Sequence, residues 1–138
     1  MKKYELTAEF IEKWGKKLFR IKALISFGSV EAGELGGYVE KEDNLAQTGN
    51  AWVSGDARVY GDAWVSGDAD YLLIGRIGSR FSFTTFFKNK DKGITVSCGC
   101  FLGTIAEFRA KVTDTHGNNK HAKMYNLAAD MAELQILG

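Results

Sequence analysis

The sequence predicts a mainly β fold with some α: a short left-handed parallel β-helix coil, flanked by an N-terminal β cap and by a C-terminal small antiparallel sheet with two helices. Three observations predict it. Glycine recurs every six residues in the units Gly49-Asn-Ala-Trp-Val-Ser, Gly55-Asp-Ala-Arg-Val-Tyr, Gly61-Asp-Ala-Trp-Val-Ser and Gly67-Asp-Ala-Asp-Tyr-Leu. Short apolar and alternating runs fill residues 71–103, and a T-x-x-E capping box, Thr104 with Glu107, opens an apolar-periodic tail. The domain reading follows: 1–48 as cap, 49–70 as repeat coil, and 71–138 as an α+β module, all in one compact unit.

The repeat comes first because its period is the sharpest signal. A six-residue period with one aliphatic and one small residue per unit is the mark of a parallel β-helix. It points Val53, Val59 and Val65 inward, with Ala51, Ala57, Ala63 and Ala69. Gly and Asp form the corners, where positive φ and local side-chain hydrogen bonds are favoured. Asp56, Asp62 and Asp68 are therefore corner residues, on successive faces, rather than a metal ladder. Residues 49–70 supply little more than one turn, and about three repeat units are needed for a stable stack. The open edges of such a coil need cover, from flanking segments or from a second copy of the chain. Trp52, Arg58, Tyr60 and Trp64 fall at outward positions and are the candidate interface of a homo-oligomer, a dimer foremost.

In the cap, Leu18, Phe19, Ile21, Ala23, Leu24, Ile25 and Phe27 form a run broken by Arg20 and Lys22, the pattern of a strand with one buried face. Phe10, Ile11 and Trp14 fit a partner strand turning at Trp14-Gly15-Lys16-Lys17, or a short helix capped by Thr7; the hairpin is preferred. Gly28, Gly33, Gly36 and Gly37 mark a tight loop region before Tyr38 and Val39, and Leu45 and Ala46 begin an irregular first coil.

In the C-terminal module, Tyr71-Leu72-Leu73-Ile74 continues from the repeat as a strand. Gly75-Arg76-Ile77-Gly78-Ser79-Arg80 is a twice-basic turn. Phe81–Phe87 alternates, with Phe81, Phe83 and Thr85 on one face and Ser82, Thr84 and Phe86 on the other. Residues 89–93 form a hairpin turn before the return strand 94–98. Ile105, Phe108 and Val112 are the packed face of the first helix, which Gly117 stops. Met124, Leu127, Met131 and Leu134 are the packing stripe of the second.

Composition narrows the function classes. A chain of 138 residues fits one domain, and a net charge of +1 creates no field for nucleic acid or an anionic membrane. No apolar run approaches the ~20 residues of a transmembrane helix, and no signal peptide opens the chain. Cys98 and Cys100, one residue apart, suit neither a normal disulfide nor a complete zinc site; buried packing in a reducing cytoplasm is preferred. No cofactor is expected.

Candidate ligand-binding residues are Arg76, Ser79, Arg80 and Thr84 around the basic turn, with His116 and Lys120 across the module. Two guanidinium groups beside backbone N–H donors grip phosphate or carboxylate. His116 and His121 flank the start of the last helix, where free N–H groups favour anions. The plain alternatives are a solvated turn with ion pairs and two exposed loop histidines; the latter is preferred for the histidines.

The Gly-Asp-Ala units resemble the hexapeptide β-helix superfamily, which includes acyltransferases. That resemblance implies several coils, a trimer and a histidine between subunits. The repeats here contain no histidine and too few coils, which speaks against the activity. A second resemblance covers most of the chain. Leu18-Phe-Arg-Ile-Lys-Ala-Leu, Gly33-Glu-Leu-Gly-Gly-Tyr-Val-Glu, Asn44-Leu, the Gly-Asp-Ala units, Ile77-Gly-Ser-Arg, Phe83-Thr-Thr-Phe, Ser97-Cys-Gly-Cys-Phe and His116-Gly-Asn-Asn-Lys follow in order. They look like a poorly characterised group of small bacterial and phage proteins. That resemblance implies a cytoplasmic accessory protein of phage or prophage origin, acting in the host cell. The expectation is a non-enzymatic protein that sequesters a small anionic, nucleotide-like ligand or a host defence protein. A structural self-assembling module is the alternative, and an acyltransferase stands last.

Overall fold

The computed structural model describes residues 2–13, 15–99 and 101–138, with the side chains of Lys13 and Asp68 outside that description. Trp14 of the expected hairpin and Cys100 of the cysteine pair therefore lie outside the described residues. Strands β1 (Tyr4–Lys13), β2 (Lys16–Ala23), β3 (Leu35–Val39) and β4 (Arg58–Val59) form one sheet in that order. Strands β5 (Tyr71–Ile77), β6 (Ser82–Lys88), β7 (Ile94–Cys98) and β8 (Phe101–Thr104) form a second in chain order, followed by helices α1 (Ile105–His116) and α2 (Lys120–Leu137).

The predicted left-handed parallel β-helix coil is not formed. Both sheets are antiparallel except for the short β3–β4 pair, in which Tyr38 and Val39 lie beside Arg58 and Val59. A coil is held by the next coil, and the repeat here has none to stack on. Its backbone instead takes partners from the preceding segment. Gly37 N–H donates to the Val53 carbonyl at 2.8 Å, Tyr38 N–H to Ala57 at 2.9 Å, and Ala46 N–H to Val65 at 2.8 Å. Only two residues of the repeat become a named β-strand. The close approach has a visible cause in β3. A Cβ on Gly36 would stand 2.6 Å from the Trp52 ring and from the Val53 carbonyl, so only glycine lets the repeat lie on this strand.

Burial nevertheless follows the six-residue period. Ala51, Val53, Ala57, Val59, Ala63 and Val65 are all buried; Ala69, at the end of the repeat, is exposed. They join Tyr4, Ile21, Val39 and Leu45 from the cap in a single core, so residues assigned to cap and coil share one interior. The hairpin alternative for the first segment is the one formed, as β1–β2, with Phe10 opposite Phe19 and Ile11 opposite Leu18.

The second sheet lies between two cores. Tyr71, Leu73 and Phe87 pack toward the repeat, while Leu72, Ile74 and Phe86 pack toward the helices. The β5–β6 register pairs Tyr71 with Phe87 and Leu72 with Phe86, so the two-residue alternation of each strand delivers matched side chains to each face. The layers are thus repeat, sheet and helices.

The capping box at α1 is complete: Glu107 N–H donates to Thr104 Oγ1 at 3.1 Å, and Thr104 N–H donates to Glu107 Oε1 at 2.8 Å. The Thr104 backbone N–H, and after it the Thr104 hydroxyl, hold the Glu107 carboxyl below the usual range. Gly117 ends the helix at φ 62°. In α2 the packing stripe is different from the predicted one. Met124, Leu127, Met131 and Leu134 are exposed, and Ala122, Tyr125, Ala128, Ala129, Ala132 and Ile136 are buried. Alanines let the α2 backbone approach α1 and β5 closely, with Tyr125 and Ile136 as the larger side chains of that face. No helix among the described residues is long and apolar enough to cross a membrane.

Candidate functional site

The turn between β5 and β6, the turn between β7 and β8, and one face of α1 surround a cavity of about 520 Å³. Antiparallel order brings the two turns to the same end of the sheet. From the first turn come Ser79 and Arg80; from the second come Cys98, Gly99, Phe101 and Leu102. Helix α1 contributes Phe108, Lys111, Val112, Thr115 and His116, whose spacings of three and four put them on one side of a helix. Tyr125 reaches in from α2.

The wall is aromatic. Phe108 packs edge-on against Tyr125 with centroids 5.6 Å apart, and Phe101 lies 5.7 Å from Phe108. The His116 ring stacks on Tyr125 at 5.8 Å and 26°. Gly78 makes room for this floor: a Cβ there would fall 1.7 Å from the Tyr125 hydroxyl. Burial pushes the Tyr125 phenol up to about 12, helped by the Cys98 thiol, which shares a hydrogen bond with it, and opposed by Arg80. The phenol is a proton donor at neutral pH. Thr84 Oγ1 donates to Cys98 Sγ at 3.1 Å behind it. Arg80 and Lys111 bring positive charge, Ser79, Ser82 and Thr115 bring hydroxyls, and no carboxylate lines the cavity among the described residues.

Of the six residues expected to bind a ligand, Ser79, Arg80 and His116 line this cavity together. Thr84 is buried and touches it through Cys98. Arg76 is not among the lining residues; its guanidinium lies 5.8 Å from the centre of the Phe83 ring. Lys120, the first residue of α2, is exposed and also outside the lining. Lys111 and Tyr125 were missed. Extending the Phe108–Val112 face by its i+3 neighbours reaches Lys111 and Thr115, whereas Tyr125 lay off the stripe taken for α2.

The four residues proposed as a subunit interface separate. Trp52 and Tyr60 are buried inside one chain, which corrects their assignment to an outer surface. Trp52 packs on Phe27 at 5.4 Å and on Tyr4 at 6.4 Å, because the cap folds over that side of the repeat. The Tyr60 hydroxyl shares a 3.3 Å hydrogen bond with Ser97 of the second sheet. Arg58 lines a smaller cavity of about 210 Å³ with Asp56, Phe83, Thr85 and Ser97; this cavity shares Ser82 and Gly99 with the larger one. Trp64 alone of the four remains largely exposed, at 46%. Among the described residues no three His, Cys, Asp or Glu side chains gather as metal ligands.

No protein-family model matches the chain, and no curated protein matches it.

Proposed function

We propose that the protein is a non-enzymatic binding protein that sequesters a small anionic, ring-bearing ligand of nucleotide type in the larger cavity. One observation carries this proposal: Arg80, Lys111 and His116 share a cavity whose wall is Phe101, Phe108 and Tyr125. Cations hold the anionic part of such a ligand and aromatic faces hold its ring. The volume of about 520 Å³ falls in the roughly 300–1,000 Å³ range of small-molecule sites. The Tyr125 phenol, kept protonated, adds a donor for a ring nitrogen or a carbonyl.

The resemblance to small bacterial and phage proteins supports the biological side of the proposal. The protein is a phage or prophage accessory acting in the host cytoplasm, where it withdraws a nucleotide signal. The acyltransferase alternative rested on a β-helix that does not form. Calorimetry against nucleoside monophosphates and cyclic nucleotides tests the proposal. Binding is expected, and Arg80→Ala should weaken it roughly tenfold or more, since a charge-assisted contact is worth about 1.5–3 kcal/mol. Arg80 is exposed, so the variant keeps its fold. No heat with any of these ligands, and no small molecule released on denaturing protein purified from cells, would shift the function to docking of a host protein.

A further inference from the structure

Helix α2 is apolar on two sides. Its buried side is built mainly of alanine, and its outer side carries Met124, Leu127, Met131 and Leu134 at 38%, 65%, 50% and 76% exposure. The spacing of these four is three, four and three, the seam of a helix that packs against another helix with 3.5-residue periodicity. Leu137, 52% exposed, extends the patch. A contiguous apolar row of this kind on a surface marks an interaction site.

Charge says what covers it. The first half of α2, residues 120–129, holds Lys120 and Lys123 and no acid; the second half holds Asp130 and Glu133 and no base. Arg109 of α1 bonds both acids, at 2.7 Å to Asp130 and also to Glu133, which leaves one negative charge in surplus at that end. A second copy laid antiparallel sets each basic half against an acidic half and opposes the helix dipoles. A parallel copy sets like against like. We infer that two copies of this chain pair through α2, antiparallel about a two-fold axis, with Met124 of one copy facing Leu134 of the other and Leu127 facing Met131. This isologous arrangement satisfies the whole seam with one surface.

The inference is independent of the cavity and moves the interface from Trp52 and Trp64 to the last helix. An 18-residue helix is about 27 Å long, so the contact is at the small end of specific interfaces and the expected dissociation constant is micromolar. Sedimentation equilibrium of the unliganded full chain from about 1 to 300 μM reads it. A reversible rise from 15.2 kDa to twice that mass is expected. Leu127→Glu should remain monomeric throughout with an unchanged circular dichroism spectrum, because the side chain is outside the core. Lys123→Glu should weaken the dimer several-fold and make it less sensitive to salt. A monomer at every concentration overturns the inference. So does a dimer untouched by both Leu127→Glu and Leu134→Glu, which places the contact elsewhere. A Lys123→Glu dimer tighter than wild type overturns the antiparallel arrangement. A monomer that binds neutral phospholipid vesicles through Leu127 assigns the face to a membrane instead.

Discussion

The repeat at residues 49–70 and helix α2 carry the same kind of signal, a regular apolar period, and the structure uses them in opposite ways. In the repeat, the positions marked inward from Ala51 through Val65 are buried, and the outward Trp52 and Tyr60 are buried with them under cover from the same chain. In α2, the large aliphatic residues marked inward stand outside, and a row of alanines packs instead. The difference lies in what constrains each face. In the repeat, Gly36 and Gly37 of β3 let the chain lie close along that strand, the small inward side chains join the core of the cap, and Phe27 and Tyr4 cover the outward Trp52. Helix α2 has two apolar faces, and periodicity alone does not rank them. Ranking is done by the room beneath the helix, where Phe108 and the β5 side chains already fill the volume.

The largest expected effect breaks the repeat side of this comparison. Gly36→Val drives two methyl groups into Trp52 and the Val53 carbonyl, and the backbone cannot retreat without giving up the Gly37–Val53 bond. Urea unfolding should show a loss of about 3 kcal/mol or more. Unchanged stability would mean that the repeat does not lie on β3.

A paired substitution sharpens the α2 side. Ala129→Leu overfills a fully buried position and should cost about 1–3 kcal/mol, read as the shift in denaturation midpoint. Leu134→Ser, at 76% exposure, should change the stability of the monomer by no more than about 0.5 kcal/mol in the same assay. The reverse ranking would restore the stripe expected from sequence.

A smaller and pH-linked effect belongs to the cavity. The folded-state pKa of Tyr125 is raised above 10 by burial, so its contribution to stability is present below about pH 10 and is lost as pH rises toward 12. Ultraviolet titration should show a tyrosine ionising near pH 12, and Tyr125→Phe should remove that step. Burial, with Glu42 and Asp43 nearby, also pushes the Tyr4 phenol up.

The comparison also explains what was legible in advance. Local chemistry was readable: the α1 capping box, the Gly117 stop, the hairpin at residues 89–93 and the buried positions of the repeat each depend on neighbours in sequence. The coil was not, because one turn of repeat finds its hydrogen-bond partners in the cap, at separations that periodicity does not encode. At the site, Ser79 and Arg80 of the basic turn were picked out by residue type and line the cavity, while Arg76 does not. His116, for which an exposed loop position was preferred, ends α1 and lines it too. Lys111 lay one i+3 step beyond the Phe108 face and was passed over, whereas Tyr125 joins the cavity only through the crossing of α2 with α1 and the sheet. The buried Trp52 and Tyr60 were misplaced for a similar reason, as cover came from within the chain.

Under the proposed function the layers divide the work: the repeat layer is scaffold and the sheet–helix module holds the ligand. Amide chemical shifts of the full chain, followed during titration with the nucleotide that gives the strongest calorimetric signal, test it directly. The account predicts shifts concentrated at Ser79, Arg80, Gly99, Lys111, His116 and Tyr125, with the amides of residues 49–67 nearly still. Shifts centred on the repeat, around Trp64 and its neighbours, would contradict it.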